Sequence, residues 1–179
     1  VNNLNDTELN SAAAYYNRGL SKYNLKDYYG AIAEYTKAIE IDPNYAFAYT
    51  NRGLSKYDLG DYEGAIADYD KAIDINPNYA NAYNNRGSVK EYLEDYKGAI
   101  ADYDKAIDIN PNYANAYNNR GSVKEYLEDY KGAISDYTKA IEINPNYAYA
   151  YFNRGIAKAY LENINAACKD ARKAQELGY

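Results

Sequence analysis

The chain has 179 residues and a formal net charge of −6, a balance that argues against a phosphate-binding surface, because nucleic-acid affinity rests on clustered Lys and Arg. No apolar run approaches the ~20 residues of a membrane span, and there is no histidine to serve as general base or metal ligand. Leu, Ile, Val and Phe number only 29, a share that would suggest disorder, but 26 Tyr and 28 Ala supply large rings and small gaps from which a core can be built.

In chain order, residues 1–11 read as an N-terminal extension in which Asp6, Thr7 and Glu8 can start the first helix early, with Asp6 as its cap. Pro43, Pro77, Pro111 and Pro145 then recur every 34 residues and divide the chain into blocks 12–45, 46–79, 80–113 and 114–147, with a degraded, proline-less block 148–179. The third and fourth blocks differ only at Ala101/Ser135, Asp104/Thr138 and Asp108/Glu142.

Each block splits at a polar joint, Lys26-Asp27, Gly60-Asp61, Glu94-Asp95, Glu128-Asp129 or Glu162-Asn163, whose Asp or Asn can cap the following helix. The second half ends before proline, which disfavours helix in the preceding residue. The expected helices are 12–25, 28–41, 46–59, 62–75, 80–93, 96–109, 114–127, 130–143, 148–161 and 164–177. Gly30, Gly64, Gly98 and Gly132, near the second-helix starts, are expected to permit close helix contact.

The second helix of block three is amphipathic, with Tyr96, Ala99, Ile100, Tyr103, Ala106 and Ile107 on one stripe. In its first helix Tyr83, Gly87 and Leu93 share one face. Asn81, Asn84, Asn85, Ser88 and Tyr92 gather on the reverse.

Tyr15, Arg18 and Gly19, followed by Ala31, Tyr35, Ala38 and Pro43, resemble the tetratricopeptide repeat, and the pattern recurs in the next three blocks. The resemblance implies an all-α, right-handed superhelical solenoid of five helix-turn-helix repeats. Its first helices would line a concave groove that binds peptides. The chain departs from the family in its columns of Arg (Arg18, Arg52, Arg86, Arg120, Arg154) and Lys (Lys22, Lys56, Lys90, Lys124, Lys158). Buried unpaired charge is costly, so their stems should pack on Tyr rings and their heads should reach carboxylates such as Asp68, Asp102 or Asp136.

Four repeat columns, headed by Tyr15, Tyr28, Tyr35 and Tyr45, account for 17 tyrosines and are expected in the core and joints. Of the rest, Tyr16, Tyr23, Tyr57, Tyr92, Tyr126, Tyr149 and Tyr160 fall on the reverse face with Phe47 and Phe152; Tyr29 and Tyr179 do not. Beside them runs a ladder, Asn17, Asn51, Asn85, Asn119 and Asn153, flanked by Asn81, Asn84, Asn115 and Asn118. Amides offer donor and acceptor, so the ladder can pair with an extended peptide or between neighbouring first helices. The groove should be near neutral, with Asp, Glu and Lys mainly on second helices. Resemblance to the chaperone-tail carboxylate clamp fails, because Tyr16, Leu20, Asn81 and Asn85 stand where cations would be needed.

No catalytic constellation emerges, and no enzyme activity, cofactor or metal is expected. Cys168 lies in an alanine stripe with nothing near it in sequence to lower its pKa. The expected function is a protein-protein interaction scaffold holding an extended peptide segment of a partner. The alternatives are a structural module that self-associates end to end, including a homodimer through the first repeat, or the interaction region of a larger protein. The last helix, with Ala171 and Gln175 in place of Tyr137 and Ile141, reads as a polar cap. The chain opens on Val1 without any Met, which suggests a fragment or processed form, and the compartment is left open with the cytoplasm favoured.

Overall fold

A computed structural model describes residues 10–179. Ten helices lie among them: α1 Ala12–Asn24, α2 Tyr28–Ile41, α3 Ala46–Asp58, α4 Tyr62–Ile75, α5 Ala80–Tyr92, α6 Tyr96–Ile109, α7 Ala114–Tyr126, α8 Tyr130–Ile143, α9 Ala148–Tyr160 and α10 Ile164–Glu176. No strand occurs among the described residues. The expected second helices α2, α4, α6 and α8 match at both ends, and the other helices stop one residue earlier than expected. The Ser11 hydroxyl caps α1 by accepting from Ala14 N–H at 3.1 Å, and the early start at Asp6 lies outside the described residues.

Asp27, Asp61, Asp95 and Asp129 cap the second helices, each accepting from the N–H of the glycine three residues on at 2.9–3.0 Å. Asn163 caps α10 in the same way, with Ala166 as donor. The glycines at Gly30, Gly64, Gly98 and Gly132 have a different purpose from the one expected: a Cβ there would collide with the cap carboxylate itself. Close helix contact is the task of the first-helix glycines, where a Cβ on Gly53 would lie 2.9 Å from the Tyr69 ring and one on Gly121 2.7 Å from Tyr137. Before each proline, Asp42, Asn76, Asn110 and Asn144 are extended, and their side chains accept from the N–H two residues on at 3.0–3.1 Å.

The chain divides within α5 into two compact units, the first ending at Val89 and the second beginning at Lys90. In the first, α1 packs on α2, α3 on α4, and α2 on α3. Ala38, Ile39 and Ala48 form one cluster with Tyr15, Tyr16, Tyr45 and Tyr49, and Ala65, Tyr69 and Val89 form another. In the second unit α6 packs on α7, α7 on α8, α8 on α9 and α9 on α10. Its clusters are Ala99, Tyr103 and Val123; Ala133, Tyr137 and Ala157; and Ala140, Ile141 and Ala150. Each buried ring sits opposite a Gly or Ala, and burying such a side chain stabilises by about 1.5–3 kcal/mol.

The cation columns behave as expected. Arg52 forks onto Asp68 at 2.6 and 2.9 Å, and Lys56 meets the same carboxylate at 2.8 Å. Arg120 and Lys124 hold Asp136, and Arg154 and Lys158 hold Asp170, with the same geometry. The remaining guanidinium nitrogen reaches back to the second helix of the preceding repeat, at Thr36 for Arg52, Asp104 for Arg120 and Thr138 for Arg154. Each of these Arg groups also lies 5.4–5.5 Å from the ring of the tyrosine three residues earlier.

Tyrosines of one column differ in what their hydroxyls meet. Tyr103 donates to Glu91 at 2.7 Å and Tyr137 to Glu125 at 2.9 Å. Tyr35 is fully buried, and its hydroxyl has no partner among the described residues. The first repeat has Tyr23 where those glutamates stand, and Tyr23 donates to Asp58 instead.

Two outcomes follow. Tyr35→Phe should leave the urea midpoint unchanged or raised, whereas Tyr137→Phe should cost about 1.5–3 kcal/mol by removing a bond to a carboxylate; equal losses would contradict this assignment. For Asp170, burial alone would raise the carboxyl, but the hydrogen bonds and charges of Arg154 and Lys158 outweigh it and hold the group below its ordinary 3.8. A depressed folded value stabilises above the unfolded pKa and is lost as pH falls through the folded one. Circular dichroism on acid titration should therefore show Asp170→Asn less stable than the parent near neutrality, with the gap closing below about pH 4. A gap that persists at the acid end would refute the role.

Candidate functional site

The candidate site is the face of the first helices turned away from the second helices. Side chains at i, i+3, i+4 and i+7 fall together there, so one residue type repeated by the 34-residue period becomes a row across neighbouring first helices.

In the first unit this face is carried by α1, α3 and the part of α5 up to Val89. Asn17 is exposed and Asn51 is half-buried. The Asn51 amide donates to the Tyr16 hydroxyl at 3.1 Å and to the Phe47 carbonyl at 2.9 Å, so this rung bonds to the preceding first helix. Tyr16 lies against Tyr35 and Tyr45, and burial raises its hydroxyl pKa, with the nearby Tyr45 adding to the effect. Tyr23 packs on Tyr28, and Tyr57 packs on Tyr62. Phe47 stands half exposed between Tyr45 and Tyr79, and Asn81 is exposed. A cavity of about 240 Å³ opens among Leu54, Tyr57, Tyr69, Asn85 and Ser88.

In the second unit Asn115 is exposed, and Asn119 and Asn153 are half-buried. The Asn153 amide donates to Asn118 Oδ1 at 3.3 Å, again a bond between neighbouring first helices. The rings are more open here: Tyr92, Tyr126, Tyr149 and Tyr160 are 59–66 % exposed. Tyr126 leans on Tyr96 with centroids 4.6 Å apart, and Tyr160 stacks on Tyr130 at 4.6 Å and 9°. A cavity of about 370 Å³ is lined by Ser122, Glu125, Tyr126, Glu128, Tyr130 and Tyr160. Burial pushes the Glu91 and Glu125 carboxyls up, against the lowering effect of their tyrosine hydrogen bonds. Tyr96 is pushed up to about 12, first by its hydrogen bond with Tyr126 and then by burial and the nearby Glu94 and Glu91.

Several expectations need correction. Asn84 and Asn118 are buried, as is Thr50 in the same column, and so do not present their amides on the open face. The face is not near neutral in the second unit, because Glu125 and Glu128 line its cavity. Tyr179, expected away from this face, stacks on Phe152 at 4.1 Å and meets Tyr149 edge-on at 5.1 Å. Tyr130 packs against the Ala133, Tyr137 and Ala157 cluster as expected of a joint tyrosine, and it also walls the cavity. The signal for the glutamates was present: where the first two repeats read Tyr23-Asn24 and Tyr57-Asp58, the third and fourth read Glu91-Tyr92 and Glu125-Tyr126.

The face can hydrogen-bond a polypeptide backbone and stack on side chains. Among the described residues no three His, Cys, Asp or Glu side chains are grouped so as to hold a metal, and no helix is long and apolar enough to cross a membrane.

Profiles described as tetratricopeptide repeat match residues 12–45, 80–113 and 114–147, and again 34–67 and 136–176, while one described as TPR repeat matches 53–91. No curated protein sequence matches the chain. Among solved structures it is similar to the MamA protein, with 30 % identity, 93 % of this chain and 91 % of that one covered, and a TM-score of 0.77. It is also similar to YrrB, described as a TPR protein with an unusual peptide-binding site, at 26 % identity over 93 % and 86 % of the two chains with a TM-score of 0.70. The first TPR of Spaghetti (RPAP3), solved bound to the HSP90 peptide SRMEEVD, matches at 27 % identity over 65 % and 93 % with a TM-score of 0.63. Helix pairs repeated every 34 residues, small residues seating large rings and these matches agree: the chain belongs to the tetratricopeptide repeat family.

Proposed function

We propose that this chain is a protein-interaction scaffold whose first-helix face holds an extended segment of a partner protein. The observation that carries the reading is the coincidence of open aromatic rings and exposed amides on that face: Phe47 with Asn81 in the first unit, and Tyr126 and Tyr160 with Asn115 in the second. Open rings in a patch are costly to leave wet, and rigid tyrosines serve well as binding anchors. The peptide-binding relatives support the reading by family. A terminal carboxylate is a poor ligand here, since Lys56, Lys124 and Lys158 are committed to Asp68, Asp136 and Asp170.

The ladder divides under this reading. Asn51 and Asn153 tie first helices together, while Asn85, lining its cavity, and Asn119 accept from the adjacent Asn84 and Asn118 amides and use their remaining hydrogen-bonding capacity on the ligand. A partner captured by pull-down should bind Asn85→Ala and Asn119→Ala variants more weakly by about 1 kcal/mol or more per lost bond pair. Undiminished affinity at unchanged thermal stability would sink the ladder's role.

A second reading is self-association, favoured by the outer face of α10. Within the second unit, Ala99 and Tyr103 of α6 are covered by Val123, and Ala133 and Tyr137 of α8 by Ala157. The equivalent positions of α10 are Ala167 and Ala171, which with Ile164, Cys168, Phe152 and Ile156 line an apolar cavity of about 280 Å³. This is less polar than the cap expected there, and it shifts the favoured contact from the first repeat to the last. Light scattering over a concentration series should show a dimer that Ala171→Glu dissociates; a monomer throughout removes this reading.

A further inference from the structure

We propose that the cavity between α7, α8 and α9 in the second unit is a subsite for the arginine or lysine side chain of an extended polypeptide, an inference that rests on the peptide-binding reading and assigns the charge of the ligand. Three tyrosines and two glutamates surround it. Tyr126 and Tyr160 are 66 % and 62 % exposed, each with a neighbouring ring on one side only, Tyr96 and Tyr130, and a tyrosine face carries the negative part of the ring quadrupole. Tyr130 backs Tyr160 as a parallel stack, which fixes that ring in place.

Glu125 and Glu128 supply the charge. Glu125 is held by the Tyr137 hydroxyl at Oε2, and no ion pair to Glu125 or Glu128 occurs among the described residues. Arg120 is engaged with Asp136 and Asp104, Lys124 with Asp136, and Arg154 and Lys158 with Asp170, while Lys131, three residues beyond Glu128, is exposed and does not line the cavity. The carboxylates therefore face the cavity uncompensated, beside rings that also favour positive charge. A phosphate or carboxylate ligand would meet like charge, whereas a guanidinium or ammonium meets complementary charge and a stacking surface.

The constellation recurs one period earlier within the same unit, in Glu91, Tyr92, Glu94, Tyr96 and Tyr126. Tyr96 bonds to Tyr126 there, as a ring pair matching Tyr130 and Tyr160. The first unit lacks it: Lys26 and Gly60 occupy the columns of Glu94 and Glu128, and Asp58 is bonded to Tyr23. Glu94 and Glu128 hold left-handed backbone at φ 63° and 62°, as do Lys26, Gly60 and Glu162 in the same column, so this conformation belongs to the joint rather than to the carboxylates.

The test uses short fluorescein-labelled Gly/Ser peptides carrying two arginines, or two citrullines in their place, with fluorescence polarisation on the whole chain. The arginine peptide should bind about tenfold or more tightly than the neutral citrulline isostere, with the difference shrinking at high salt. Combining Glu94→Gln with Glu128→Gln, at positions with no fold partner, should remove most of that preference. Tyr160→Leu should weaken the arginine peptide, and Glu142→Gln on α8 should change nothing. Equal binding of the two peptides, or an arginine preference that survives the paired Glu→Gln change, overturns the inference while leaving the peptide-binding face intact. Absence of arginine-peptide binding at low salt overturns it as well. Failure of the broader reading registers separately, as undiminished partner capture by the Asn85 and Asn119 variants.

Discussion

The fork of an arginine on a buried aspartate is the interaction on which the rest of this structure depends. Asp68, Asp136 and Asp170 are 4–5 % exposed, and a buried carboxylate stripped of its partner costs about 3–5 kcal/mol. Each is met by two nitrogens of one arginine and by a lysine four residues further along the same first helix. Because the same guanidinium also reaches Thr36, Asp104 or Thr138, one side chain joins its first helix to two successive second helices. Helix spacing, the seat of the tyrosine beneath the arginine and the register of one repeat on the next are thereby linked in one set of bonds.

That arrangement also explains why so little aliphatic residue suffices. Tyr69, Tyr103 and Tyr137 enter spaces left by Gly and Ala, with their hydroxyls at the edge of the core. Where the edge supplies a carboxylate, as at Glu91 and Glu125, ring and hydroxyl are both satisfied. In the first repeat it does not, and Tyr35 is buried with an unpartnered oxygen.

The commitment of the cations to buried aspartates has a consequence at the open face. Once Arg120, Lys124, Arg154 and Lys158 point into the helix pairs, Glu125 and Glu128 are left with tyrosine rings for company. The exchange of Tyr57-Asp58 for Glu91-Tyr92 and Glu125-Tyr126 separates the two units chemically. In the first, Tyr23 and Tyr57 are half-buried against Tyr28 and Tyr62 and Phe47 alone of the face's rings is exposed, whereas the second presents open rings beside carboxylates.

The sequence by itself determined the helices, the caps of the second helices and the pairing of the cation columns. A 34-residue period with Asp before each second helix and Pro after it leaves the backbone few alternatives, and a cation on a buried stripe needs an anion. It also set Tyr126, Tyr149 and Tyr160 apart from the repeat columns, although Tyr130 of one such column and the terminal Tyr179 join them in space. Only the tertiary structure decided which asparagines remain open. Asn84 and Asn85, or Asn118 and Asn119, are one helix step apart and chemically identical, so the ~100° between them becomes burial or exposure only when a neighbouring helix closes over one side. It likewise brought Tyr179 onto Phe152 and set Tyr160 beside Glu125 and Glu128, contacts made across helices where no periodicity within one repeat could record them.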